Sequence, residues 1–156
     1  MRERIRPPKD LEPVLDELKE SGVIETKQKG MMLAAGLGYA LKSDLEHHLP
    51  PERYGEGIRL EYFQRVQDDG FIDALAVAAK ESLEVLSAEN NDDRLNIFEG
   101  YANTGLWELK RRMDAVRNKT GTDFLDVVID ILDDMGRGGE GESATDAKVR
   151  RLEGLV

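Results

Sequence analysis

The stretch KGMMLAAGLGYA, residues 29–40, constrains this chain more than any other, because three glycines and three alanines fall inside a helix-length segment. Thr26 is placed to cap it, so the pattern predicts a helix from there to about Leu41. Each interior glycine costs a helix about 1 kcal/mol against alanine. Such a segment holds together where another helix backbone comes close, and Gly30, Ala35, Gly36 and Gly38 leave room for that approach, within the chain or across a homo-oligomer. Met31, Met32, Leu33, Leu37 and Tyr39 supply the surrounding contacts.

A second stretch, IFEGYANTGLWELKRR from Ile97 to Arg112, joins apolar, aromatic, glycine and basic residues more densely than any other part of the chain. It belongs to a helix expected from about Asp93 to Arg117, with Leu95, Phe98, Ala102, Leu106, Leu109, Met113 and Val116 on one stripe. Gly105 lies beside Ala102 on that stripe and marks a close crossing, whereas Gly100 lies off it.

Shorter helices accompany these two. Ile5 is held extended by Pro7 and Pro8, Asp10 is placed as an N-cap, and Leu11, Val14, Leu15 and Leu18 recur at helical spacing up to Gly22, a C-terminal cap. Ile58 to Leu60 reads as a short extended piece after a loop from Ser43 to Gly57. Ile72, Leu75, Ala76, Ala79, Leu83 and Leu86 predict one helix from Phe71 to about Leu86. Thr122 is placed to cap a last helix with an apolar stripe of Leu125, Val128, Ile131, Leu132 and Met135, ended by Gly136. The expected fold is all-α, a compact bundle of about five helices with at most one or two short strands. Residues 1–135 are expected to form a single helical domain and 136–156 a flexible glycine-rich, charged tail, whose few apolar residues suit a short helix that docks only with a partner.

No run approaches the roughly 18 uncharged residues of a membrane span, and MRERIRPPKD lacks a signal peptide's apolar core, which predicts a soluble, cytoplasmic protein. The absence of cysteine closes thiol chemistry, disulfides and Cys-ligated zinc. Chemistry must then come from other groups. His47 and His48 with Glu46 and Glu52 are the one metal-site candidate, but adjacent side chains diverge and favour a solvated loop. Asp130, Asp133 and Asp134 fall on the polar side of a helix. With no phosphate-binding, dinucleotide, zinc-protease or hydrolase motif, the reading is a non-enzyme without cofactor or metal.

A net charge of −10 argues against polyanion binding by the whole surface, yet basic residues gather locally. Arg2, Arg4, Arg6 and Lys9 flank the first extended piece, Lys27 and Lys29 open the second helix, and Lys110, Arg111 and Arg112 lie near the end of the long one. Each group is a candidate contact for DNA backbone, the N-terminal ones foremost, because the helix dipole favours cations at a C-terminus in any case.

Two separated patterns resemble the Dnd system-associated protein 4 family, whose members are encoded beside DNA phosphorothioation genes. The shared features are Arg6 with Pro8, Lys9 and Asp10; the turn Gly22, Val23, Ile24 and Thr26; Met32, Ala35 and Gly38; and Ile97, Phe98, Glu99, Tyr101, Ala102, Asn103, Gly105 and Leu106. The resemblance implies an accessory role beside phosphorothioation modification or restriction proteins in antiviral defence. The N-terminal order is also similar to ribbon-helix-helix proteins and to DndE, although prolines here cut the strand short and oppose base readout. Two other function classes stay open: an acidic, DNA-mimicking regulator of a partner protein, and a metal-dependent nuclease using the His47–His48 loop.

Overall fold

The computed structural model describes residues 2–41, 53–119 and 123–136. Among these, six α-helices surround a core, with one antiparallel pair of two-residue strands at the edge. Strand β1, Arg4–Ile5, pairs with β2, Ile58–Arg59, so that Ile5 faces Ile58 and Arg4 faces Arg59. The prolines end β1 but not the association, because their carbonyls still accept: Gly55 donates to Pro7 at 2.7 Å. Lys9 donates to the Arg53 carbonyl at 3.1 Å, which ties the chain down past the strand.

Helix α1, Glu12–Glu20, carries Pro13 in its first turn, where no amide hydrogen is needed. It is entered through a 3-10 turn at Lys9–Leu11, so Asp10 does not cap it, contrary to the expectation from sequence; its carboxylate meets the Arg53 guanidinium at 3.1 Å. The exit follows the expected course. Gly22 adopts φ +80°, Val23 donates to the Leu18 carbonyl and Gly22 to that of Lys19, which is the double hydrogen bond of a Schellman cap.

Helix α2, Lys27–Ala40, starts at Thr26, whose hydroxyl accepts from the Lys29 amide. It crosses α5, Asn91–Val116, in backbone contact: a Cβ on Gly38 would stand 1.8 Å from the Tyr101 carbonyl oxygen, and one on Gly105 would stand 1.8 Å from that of Ala34. Ala34, Gly38 and Gly105 are the small residues that this intramolecular crossing uses. Ala35 is fully buried, and Gly30 makes room for the tips of Leu15 and Ile24. Gly36 belongs to neither arrangement, since its nearest neighbour is the Phe71 ring at 3.8 Å. The reason is angular: Gly36 is two residues from both Ala34 and Gly38, which puts it on the far side of the helix from the crossing.

Helices α3, Leu60–Arg65, and α4, Asp69–Lys80, deliver Phe63 and Phe71 edge-on to the Phe98 ring of α5 at 6.1 and 6.3 Å. The helix expected to reach Leu86 stops at Lys80 because Glu81 turns left-handed at φ 52° and Ser82 caps a 3-10 turn, Leu83–Leu86. Arg94 stabilises this break by donating to the carbonyls of Val85 and Ser87. Helix α6, Phe124–Gly136, begins with the Asp123 carboxylate accepting from the Leu125 amide; Thr122 lies outside the described residues. Its buried face is Val127, Val128 and Ile131, and the Leu125 and Leu132 assigned to that face from sequence are instead about half exposed. The tail from residue 137 onward lies outside the described residues.

Candidate functional site

The most unusual group in the molecule is Glu99 of α5, a carboxylate only 2% exposed. An unpaired charge there would be strongly disfavoured, and two arginines from the N-terminal segment compensate it. Arg2 reaches Glu99 Oε2 through Nη2, while Arg6 donates its backbone amide to Oε2 at 2.6 Å and its Nη2 to Oε1 at 3.3 Å. The Arg6 guanidinium lies over the Tyr54 ring, 3.7 Å from its centroid. The Arg2 backbone amide donates to Asp92, which holds that carboxyl below its ordinary range, helped by the Asn91 side chain. Arg2 and Arg6 thus clamp the first strand onto the long helix.

Arg4 takes a different course. It sits directly across the ladder from Arg59, and the two line an open groove of about 530 Å³ together with Arg2, Glu3, Glu61 and Gln64. Arg4 donates to the Gly57 carbonyl at 2.8 Å and Arg59 pairs with Glu61 at 3.2 Å. Like charges placed directly opposite on neighbouring strands destabilise a sheet, so this pairing costs the fold something.

The remaining predicted cations are dispersed among acidic partners. Lys27 meets Asp16 at 3.1 Å and Lys29 meets Asp68 at 2.9 Å. The Lys29 hydrogen bond lowers the Asp68 carboxyl, opposed by burial and reinforced by Gln28. Lys110 pairs with Asp114, Arg111 with Glu108, and Arg112 with both Glu108 and Asp134. Burial raises the Glu108 carboxyl, and hydrogen bonds from Arg111 and Arg112 more than reverse the shift. Lys9 is exposed at its turn. Sequence reasoning missed Arg59 and Glu99. Arg59 was legible as the middle of an extended Ile-Arg-Leu, like Arg4, whereas Glu99 carries no local sign that a carboxylate belongs inside. Gly100 is buried and lines a second groove, of about 440 Å³, with Lys80, Asp93, Asn96, Ile97 and Tyr101.

The loop of Glu46, His47, His48 and Glu52 lies outside the described residues. Among the described residues, no cluster of three or more His, Asp or Glu could hold a metal ion, and no helix is long and apolar enough to cross a membrane.

Fold and site together define a small helical protein built on one close helix crossing, with an N-terminal ribbon fastened by a buried carboxylate. A family model, DNA sulphur modification system-associated protein 4, matches residues 4–146, and the chain belongs to that family. It is thereby associated with a DNA sulphur modification system. No curated protein and no solved structure matches the chain. The two separated sequence patterns meet in space: Arg6 binds Glu99, and Gly38 lies against Tyr101.

Proposed function

We propose that this protein is a non-catalytic accessory component of a DNA phosphorothioation-linked modification or restriction system, and that it touches the DNA backbone through a small face centred on Arg4 and Arg59. The observation that supports this is the pair of directly opposed arginines at the rim of an open groove. A phosphate between two guanidinium groups would offset their repulsion and accept hydrogen bonds from both. The footprint centres on this pair because Arg2 and Arg6 are committed to the buried Glu99 and Lys27, Lys29 and the α5 cations lie on other elements beside their own acids, whereas Arg4 and Arg59, although Arg59 also meets Glu61, face each other at one groove.

Titration of duplex DNA against salt tests the reading. Contacts to about two phosphates predict weak binding with a slope of roughly −2 in log affinity against log salt. The double variant Arg4→Ala/Arg59→Ala should abolish binding, while Lys110→Ala should leave it. Failure to bind intact, nicked or phosphorothioated duplex at low salt would remove DNA from the proposal. A second reading, contact with a protein of the same system, draws support from the net charge of −10 and from this matching of cations to acids. Co-purification with the modification or restriction proteins separates the two.

A further inference from the structure

The groove at Arg4 and Arg59 does not end at their rim. Leu60, Gln64 and Asn91 line it and also line a smaller recess of about 80 Å³, which continues it between α4 and α5. Ile72 and Leu95, both buried, form the apolar part of this recess, and Asp69 and Asp73, one helical turn apart on α4, form its acidic part. Arg94 also lines it, but its guanidinium is engaged by Asp73 at 3.1 Å and by the carbonyls of Val85 and Ser87. Asp69 has no cationic partner among the described residues. Burial raises the Asp73 carboxyl, Arg94 opposes that shift, and the Asp69 charge adds to it. Two like-charged pairs therefore stand at the two ends of one continuous hollow, arginines at the rim and carboxylates in the recess. A ligand with an anion at one end and hydrogen-bond donors at the other offsets both repulsions.

We propose that this hollow takes one unpaired nucleotide of a DNA strand, with its phosphate at Arg4 and Arg59 and the exocyclic amino group of its base at Asp69 and Asp73. The inference rests on the reading of the two arginines as a phosphate contact and adds the form of DNA and the kind of base. The groove, at about 530 Å³, is within the range of small-ligand sites, roughly 300–1,000 Å³, so the smaller recess has only the amino edge of the base to receive. Shape selects the unpaired state. In a duplex the amino edges lie at the floor of a DNA groove, so a recess that is itself concave reaches them only when the base leaves the stack. Charge selects the base. Cytosine and adenine carry an amino donor for the two carboxylates, whereas thymine places a carbonyl where cytosine has its amino group. Gln64, at the junction of groove and recess, offers a donor and an acceptor to the rest of the base edge. Glu3 and Glu61 on the arginine rim disfavour a long run of phosphates.

The test titrates the full chain at low salt with three probes of equal length: single-stranded oligo(dC), single-stranded oligo(dT) and a blunt duplex. Oligo(dC) should bind about tenfold more tightly than oligo(dT), and more tightly than the duplex. Asp69→Ala, at a position that holds no ion pair, and separately Asp69→Ala/Asp73→Asn should bring oligo(dC) down to the level of oligo(dT) without weakening oligo(dT). Unchanged thermal unfolding of the single variant is the control for folding. Arg4→Ala/Arg59→Ala should remove the binding of all three probes. Equal affinity for oligo(dC) and oligo(dT), with both lost in the arginine variant, overturns the recess and leaves the phosphate contact standing. A duplex bound as tightly as oligo(dC) overturns the unpaired state. Binding of none of the probes overturns this inference together with the phosphate contact on which it rests.

Discussion

Replacing Glu99 by alanine removes the acceptor on which Arg2 and Arg6 converge and leaves two guanidinium groups against the core. Breaking a buried pair costs about 3–5 kcal/mol, and the partial exposure of both arginines places this case toward about 2–3 kcal/mol, measured by urea unfolding. Loss of less than about 0.5 kcal/mol would show that the clamp does not hold the strand. A pH profile tests the other carboxylates. Asp68, held low by Lys29 and Gln28 against the effect of burial, and Glu108, raised by burial but held low by Arg111 and Arg112, both ionise more readily folded than unfolded. Their stabilisation is complete above the unfolded carboxylate range near about pH 4 and is lost as the pH falls through the lower folded values. Unfolding free energy should therefore decline below about pH 4, and Asp68→Asn should flatten that decline.

The α2–α5 crossing makes the sharpest statement about an element, because it separates glycines that look alike in sequence. A methyl on Gly38 or Gly105 meets a backbone carbonyl that cannot move without its helix, so each alanine variant should lose about 3 kcal/mol or more. Gly36→Ala meets nothing closer than 3.8 Å and should gain up to about 1 kcal/mol from helix propensity. Thermal unfolding of the three variants checks the contrast, and equal losses would contradict the crossing. The need for a close neighbour was legible from the density of small residues. Which glycines meet it depends on the rotation of α2 about its axis, set by the packing of Met31, Ala34 and Leu37 on the core. The same applies to α6, where periodicity gave a stripe but only packing chose Val127, Val128 and Ile131 as the buried side. Local competition escaped the pattern at Glu81, where the apolar spacing runs on to Leu86 and the backbone does not.

On the scale of the whole molecule, the proposed DNA contact at the ribbon would set binding against stability. Arg59→Glu turns a repelling cross-strand pair with Arg4 into an attracting one but gives up the exposed Arg59–Glu61 pair, effects of similar size that should leave stability within about 1 kcal/mol while abolishing contact with duplex DNA. Denaturant unfolding and a binding titration on the same sample check both halves, and a variant that still binds with full salt dependence would exclude the arginine pair as the contact. Local spacing by itself determined the helical class, the Thr26 cap, the Gly22 turn and the need of two small-residue helices for a close neighbour, because caps, turns and periodicity act over a few residues. The tertiary structure alone decided what the charges do. Arg2 and Arg6 became clamps on a buried carboxylate, and Arg4 stayed exposed, because that carboxylate, more than ninety positions away, is folded beneath the first two and an arginine from β2 is folded beside the third. Whether a basic residue is a fastening or a contact depends on what the fold places opposite it, and no short-range pattern carries that information.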